Sequence, residues 1–263
     1  MKGPAGIMAL VLAETAAGGV GFLFLTPLWG EVRRGFFYLT GGIVLVLAVS
    51  AAGAAAGAYD AATAAKGRVA VTLALTLAGA TLLWLALIRL RLHVAGRVLG
   101  IASVPLAVGM LFAFARTIDE SLALSYFQLL AGAAFTGVVL DGLLLGHWYL
   151  TDRRLSRGPI NRMTWLLIAA VVLEMAAVIV GAIGAPNSPG RAASTLNPLL
   201  TVAGSATWIA IGMVACTGLI AVFISLTLRG ARPAAVQSAT GFFYLAVVTA
   251  FTAELAAKVR FLP

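Results

Sequence analysis

Charge is scarce in this chain. Only 10% of its 263 residues are Asp, Glu, Lys or Arg, against about a quarter in an ordinary soluble domain. Hydrophobic residues make up 62% and the mean hydropathy is +1.04, which excludes a soluble globular protein and identifies an integral membrane protein. Cysteine is nearly absent. The single Cys216 excludes internal disulfides, iron–sulfur ligation by this chain alone and cysteine-rich zinc sites, and it reads as a small buried hydrophobe. Histidine is limited to His93 and His147. A bis-histidine haem needs two imidazoles facing each other across a dry bundle. His93 instead lies between Arg91 and Arg97 at a polar border, so no haem, iron–sulfur cluster or metal bound by this chain is expected. Also missing are a Walker A loop, a nucleophile elbow, an HExxH pair and an EF-hand loop. Their absence argues against ATP-driven transport and against serine or zinc hydrolysis, and leaves at most the membrane subunit of an oxidoreductase complex. No arginine lies at the centre of an apolar stretch, which argues against a voltage sensor.

Acidic residues are outnumbered nine to 18 by basic ones, giving a net charge of +9. Nucleic acid is not the expected partner, because the basic residues sit in short loops and no aromatic-rich basic surface accompanies them. The positive-inside rule accounts for them instead.

Spanning a bilayer takes about 20 apolar residues. Eight stretches meet that length, at about 4–29, 35–59, 69–88, 98–115, 121–150, 163–185, within 199–228 and within 233–257. The linkers between them carry turn and charge signals: Gly30-Glu31-Val32-Arg33-Arg34, the arginine-rich 151–159, Ala185-Pro186-Asn187-Ser188-Pro189-Gly190, and Arg229-Gly230-Ala231-Arg232-Pro233. The prediction is an all-α integral membrane protein, eight transmembrane helices in one bundle, with residues 1–263 as a single polytopic domain. Loops after the odd-numbered stretches carry eleven Lys and Arg residues and the opposite side seven, so both termini are placed on the non-cytoplasmic side. Trp29, Trp148 and Trp165 fall at one boundary, as an interfacial aromatic belt would. The apolar run behind Lys2 resembles a signal peptide, but Glu14 interrupts it and hydrophobicity continues to Trp29, so it reads as a retained helix. A bacterial inner membrane location is expected.

Four carboxylates lie inside these apolar stretches: Glu14, Asp141, Glu174 and Glu254. A charge at the centre of a bilayer costs roughly 2.5–3.5 kcal/mol on insertion scales, so such residues are candidates for proton relay, ion or substrate binding, or a quinone pocket. By depth, Glu14, Glu174 and Glu254 fall in the middle and outer half of the membrane, where they can share a cavity, while Asp141 lies toward the cytoplasmic side. Glu254 also admits a plainer reading, an interfacial i,i+4 pair with Lys258. His147, in Gly146-His147-Trp148-Tyr149-Leu150, reads either as an interfacial anchor or as a proton-exchanging residue at a quinone pocket.

Glycines spaced by four, at 53 and 57, 96 and 100, and 142 and 146, permit close helix approach and say nothing about chemistry. Those at 18, 19 and 21 are similar, or make room for a flat ligand. A short internal similarity links 24–39 with 224–245, through Gly35-Phe36-Phe37-Tyr38-Leu39 and Gly241-Phe242-Phe243-Tyr244-Leu245. It reads as a parallel repeat of stretches 1–2 in stretches 7–8, or as coincidence in a chain rich in Ala and Leu.

Two segments, Glu14-Thr15-Ala16-Ala17-Gly18-Gly19 and Ala253-Glu254-Leu255-Ala256-Ala257-Lys258-Val259-Arg260-Phe261, resemble the membrane anchors of molybdopterin oxidoreductases of the polysulfide-reductase and dimethyl-sulfoxide-reductase type (NrfD/DmsC-like proteins). The resemblance covers about a tenth of the chain. It implies a quinone-binding anchor, for menaquinone or ubiquinone, partnered by an iron–sulfur subunit. The compact loops depart from that group and leave little extramembrane docking surface. The expected function is a membrane subunit of a bacterial respiratory complex that binds quinone or conducts protons through its buried carboxylates, with lipid and other subunits as partners. The alternatives are a proton-coupled carrier or channel, and a structural subunit without chemistry of its own.

Overall fold

The computed structural model describes residues 3–59, 63–152, 154–183, 202–230 and 234–261. Among them the structure is helical throughout: α1 (Gly3–Leu25), the single turn α2 (Leu28–Glu31), α3 (Arg34–Ala56), α4 (Ala64–Arg89), α5 (His93–Ala115), α6 (Leu122–Thr151), α7 (Gly158–Ile183), α8 (Val202–Leu228) and α9 (Ala234–Lys258), with a closing 3₁₀ turn Val259–Phe261. All but α2 and the closing turn are long and apolar enough to cross a membrane, which makes eight. At 23 to 30 residues and a rise of about 1.5 Å each, they exceed the roughly 30 Å hydrocarbon core.

The sequence explains where the helices stop. Thr26-Pro27 ends α1, because proline disfavours the helical region for the residue before it. Pro159 sits in the first turn of α7, where its missing N–H costs nothing. α5 begins at His93, earlier than the apolar stretch suggested, so His93 stands on a helix rather than in a loop. The predicted break at 185–190, the start of the seventh stretch at 199 and the residues Arg153 and 231–233 lie outside the described residues.

The helices close into two rings of four. α1, α3, α4 and α5 each pack on the next, and α5 returns to α1. α6, α7, α8 and α9 repeat the same order, with α9 returning to α6. The rings join through their first helices, α1 against α6. This order pairs α1 with α6, so the short similarity between 24–39 and 224–245 does not mark the repeat; those segments fall in different places of the two rings.

α1 and α6 touch at backbone distance. A Cβ on Gly18 would lie 1.8 Å from the Ala133 carbonyl oxygen, and one on Gly137 would lie 2.3 Å from the Gly18 carbonyl carbon. With no water in a bilayer to drive helices together, close approach of small residues supplies the packing. Gly18 therefore serves helix contact and leaves no room there for a flat ligand. Of the other glycine pairs, Gly100 seats Phe24, while Gly142 and Gly146 seat Phe243 and Thr240; Gly53 and Gly57 face open space.

At the arginine-rich end the first ring is filled by rings. Trp84 is fully buried and edge-on to Phe24, Trp29 and Phe37. Trp29 thus turns inward, and Trp148 packs onto Gly35, leaving Trp165 exposed. Cys216, expected inside, is exposed. Two ion pairs clasp the rings together at this end. Arg162 meets both oxygens of Glu31 at 3.0 and 3.3 Å, and Arg33 stands 3.0 Å from Asp152.

Candidate functional site

Glu14 lies one turn before Gly18 on α1, so the two share a face, and that face meets α6. The residue opposite is Gly132. A Cβ there would come within 2.7 Å of Glu14 Oε1 and 2.9 Å of Glu254 Oε2. Gly132 therefore clears the space in which two carboxyl groups from different helices meet.

Lys258 closes that space. The last residue of α9 turns inward, with its Nζ 2.9 Å from Glu14 Oε1 and 2.9 Å from Glu254 Oε2. The i,i+4 pair of Glu254 and Lys258 is present, and Glu14, Glu254 and Lys258 are all buried within the protein. Glu174, from α7, is also buried and lies close enough to Glu254 to share a hydrogen bond when one of the two holds a proton. Glu14 and Glu254 stand in the same relation.

Four helices, α1, α6, α7 and α9, thus build one cluster of three carboxyl groups around one ammonium. With every group ionised it would carry three negative charges against one positive. Buried charge is tolerated only when paired or neutralised, and the one ammonium pairs directly with Glu14 and Glu254. Glu14 Oε2, Glu254 Oε1 and Glu174 Oε2 have no hydrogen-bond donor among the described residues.

Beside the cluster is a cavity of about 10 Å³, lined by Gln128, Glu174, Thr207 and Lys258 together with Ala177, Val178 and Ala257. That is about the space one water needs. Gln128 is held in place by donating from Nε2 to the Ala177 carbonyl at 3.3 Å. Ser125, Gln128 and Gly132 follow one another on α6 at spacings of three and four, one face of a helix. Ser125 is fully buried and its hydroxyl has no partner among the described residues. A polar track therefore leads along α6 from its first turn to the cluster.

Asp141 does not join. It is nine residues beyond Gly132 on α6, about 14 Å along the axis. It is fully buried, both its oxygens lack a partner among the described residues, and a Cβ on Gly19 would lie 3.8 Å from its Oδ1. His147 is further along, exposed at the opposite end of α6. His93, also at that end, is paired with Arg34, whose Nη2 stands 2.7 Å from its Nε2.

The structure thus brings Glu14, Glu174 and Glu254 together and leaves Asp141 and His147 apart. Two members of the site escape sequence reasoning. Lys258 reads as a boundary lysine because it ends its apolar stretch, and Gly132 reads as any other packing glycine. The only signal for Lys258 was its i,i+4 spacing to Glu254. The chain matches no protein-family model, no curated protein and no solved structure.

Proposed function

We propose that this chain moves protons across a membrane through the Glu14–Glu174–Glu254–Lys258 cluster. The observation that carries the proposal is the ammonium shared between two buried carboxyl groups, with a third beside it at a water-sized cavity. Such a group of acceptors holds protons whose number changes whenever the local charge or wetting changes. Ser125 and Gln128 offer entry from one end of α6. Thr136, one turn past Gly132, and then Asp141 mark the way toward the other end.

The excess of arginine at the α6 C-terminal end makes that end cytoplasmic in a bacterial inner membrane, with the cluster nearer the outside. Within this setting the electron-transfer reading is the second one. The two segments that resemble quinone-binding anchors, 14–19 and 253–261, are those that meet at the cluster. The cavity there suits a water and not a quinone ring, so in that reading the cluster supplies protons to a quinone bound elsewhere, and the chain is one subunit of a larger complex.

Reconstitution into liposomes tests the proposal, with proton entry driven by a potassium diffusion potential and followed by an internal pH dye. Wild-type liposomes should take up protons faster than empty ones. Glu174→Gln keeps shape and hydrogen bonding but removes the exchangeable proton, and it should slow uptake about a hundredfold. Equal rates for wild type, Glu174→Gln and empty liposomes would reject proton movement by this chain. Co-purification of iron–sulfur subunits from native membranes would favour the second setting, and a pure homo-oligomer the carrier.

A further inference from the structure

The first ring holds a cavity that the cluster does not use. A groove of about 320 Å³ runs between α4 and α5, which is at the lower end of the volumes that hold small ligands. Its mouth carries Lys66, in the first turn of α4, and Arg116, the residue that caps the end of α5. The two helices are antiparallel neighbours, so both cations stand at the same boundary. Both side chains are exposed, and neither forms an ion pair among the described residues.

Inward from the mouth the walls are apolar: Val69 and Leu73 on α4, Phe112 and Gly109 on α5. Lys66 and Leu73, like Arg116 and Gly109, are seven positions apart, so the slot runs about 10 Å along the helices toward the membrane centre. Gly109 keeps it open, since a Cβ there would meet nothing within 4 Å. Phe112 is fixed as a wall by edge-on contact with Tyr126, 5.3 Å between ring centroids.

We propose that this groove is a binding site for one anionic phospholipid. Its headgroup is held by Lys66 and Arg116, and the start of one acyl chain lies in the slot. Charge complementarity selects the occupant. The slot does not choose among phospholipids, because every phospholipid carries an acyl chain to lie in it. Selectivity therefore lies in the two cations, which favour a headgroup with net negative charge. The direction of the slot distinguishes a lipid from a free anion: charge at the boundary and a hydrocarbon channel leading inward match an amphiphile.

The test uses the full-length chain purified in detergent, with phosphatidylglycerol, phosphatidylcholine or inorganic phosphate added. Bound lipid is counted by native mass spectrometry. Wild type should retain one phosphatidylglycerol in preference to phosphatidylcholine. Lys66→Gln with Arg116→Gln should weaken that binding roughly thirtyfold, about a factor of five for each charge removed near the surface. Gly109→Leu fills the slot without touching the cations and should also abolish retention. Because the two variants act at different places, misfolding of one leaves the other to decide. Equal retention of both lipids by wild type would overturn the proposal. So would unchanged phosphatidylglycerol binding in Gly109→Leu, which would mean surface attraction alone, or full competition by inorganic phosphate, which would mean a free-anion site.

Discussion

Removing Lys258 would leave three buried carboxyl groups facing one another with no cation. Loss of one partner from a buried ion pair typically costs about 3–5 kcal/mol, because the remaining charge stays buried and uncompensated. Lys258→Met should therefore lower the thermal unfolding temperature in detergent sharply, and adding Glu254→Gln should recover part of the loss. If Lys258→Met melts like wild type, the ammonium is not holding the carboxyl groups. Gly132→Ala places a Cβ against Glu14 and Glu254, and that crowding should cost about 1–3 kcal/mol in the same measurement. Outside the membrane-spanning helices, burial pushes the Tyr59 phenol up to about 12. It should stay neutral through pH 10, where an exposed tyrosine ionises. Since only the unfolded chain would lose that proton near pH 10, Tyr59 lowers stability as pH rises between about 10 and 12. Absorbance titration of wild type against Tyr59→Phe reads it directly. The three glutamates of the cluster were legible in the sequence because a charge in an apolar run has no ordinary reason to be there. Lys258 was not, because a lysine at the end of a span usually reaches out to water. Whether it turns inward depends on what α1 and α6 place beside it.

At the scale of the helix, existence was legible and packing was not. Length and apolar composition mark each span, and proline and arginine mark the ends. The faces are hidden, because the side toward lipid and the side toward protein are both apolar, so no amphipathic stripe tells them apart. That is why the central place of α1 and α6 appears only in the structure, and why Gly18 and Gly53 look alike in the sequence. They should behave oppositely. Gly18→Ala drives a Cβ into the Ala133 carbonyl and must push α1 off α6, so it should cost more than about 3 kcal/mol and reduce the yield of folded protein. Gly53→Ala meets nothing within 4 Å and should stabilise by about 0.4–1 kcal/mol. Equal thermal shifts in the two variants would contradict the backbone contact.

For the whole molecule, the two-ring arrangement follows from contacts that no short segment encodes, and the weak similarity between 24–39 and 224–245 pointed to the wrong pair. Orientation is a separate matter, set by loop charge. An impermeant thiol reagent applied to intact cells should fail to label a cysteine placed at Arg154, with Cys216 removed, and should label it after lysis; labelling from outside would invert the assignment. The last helix of each ring ends near a cation, Arg116 after α5 and Lys258 on α9, one turned outward and the other inward. The inward one has a consequence in time. Glu14 on α1 leaves the ribosome before Lys258 on α9, which lies 244 positions later. At about 5–20 residues per second, roughly 12–50 seconds pass between their synthesis. For that interval Glu14 must enter the bilayer without the counter-ion it will finally have, and the arrival of α9 is the event that seals the nascent bundle.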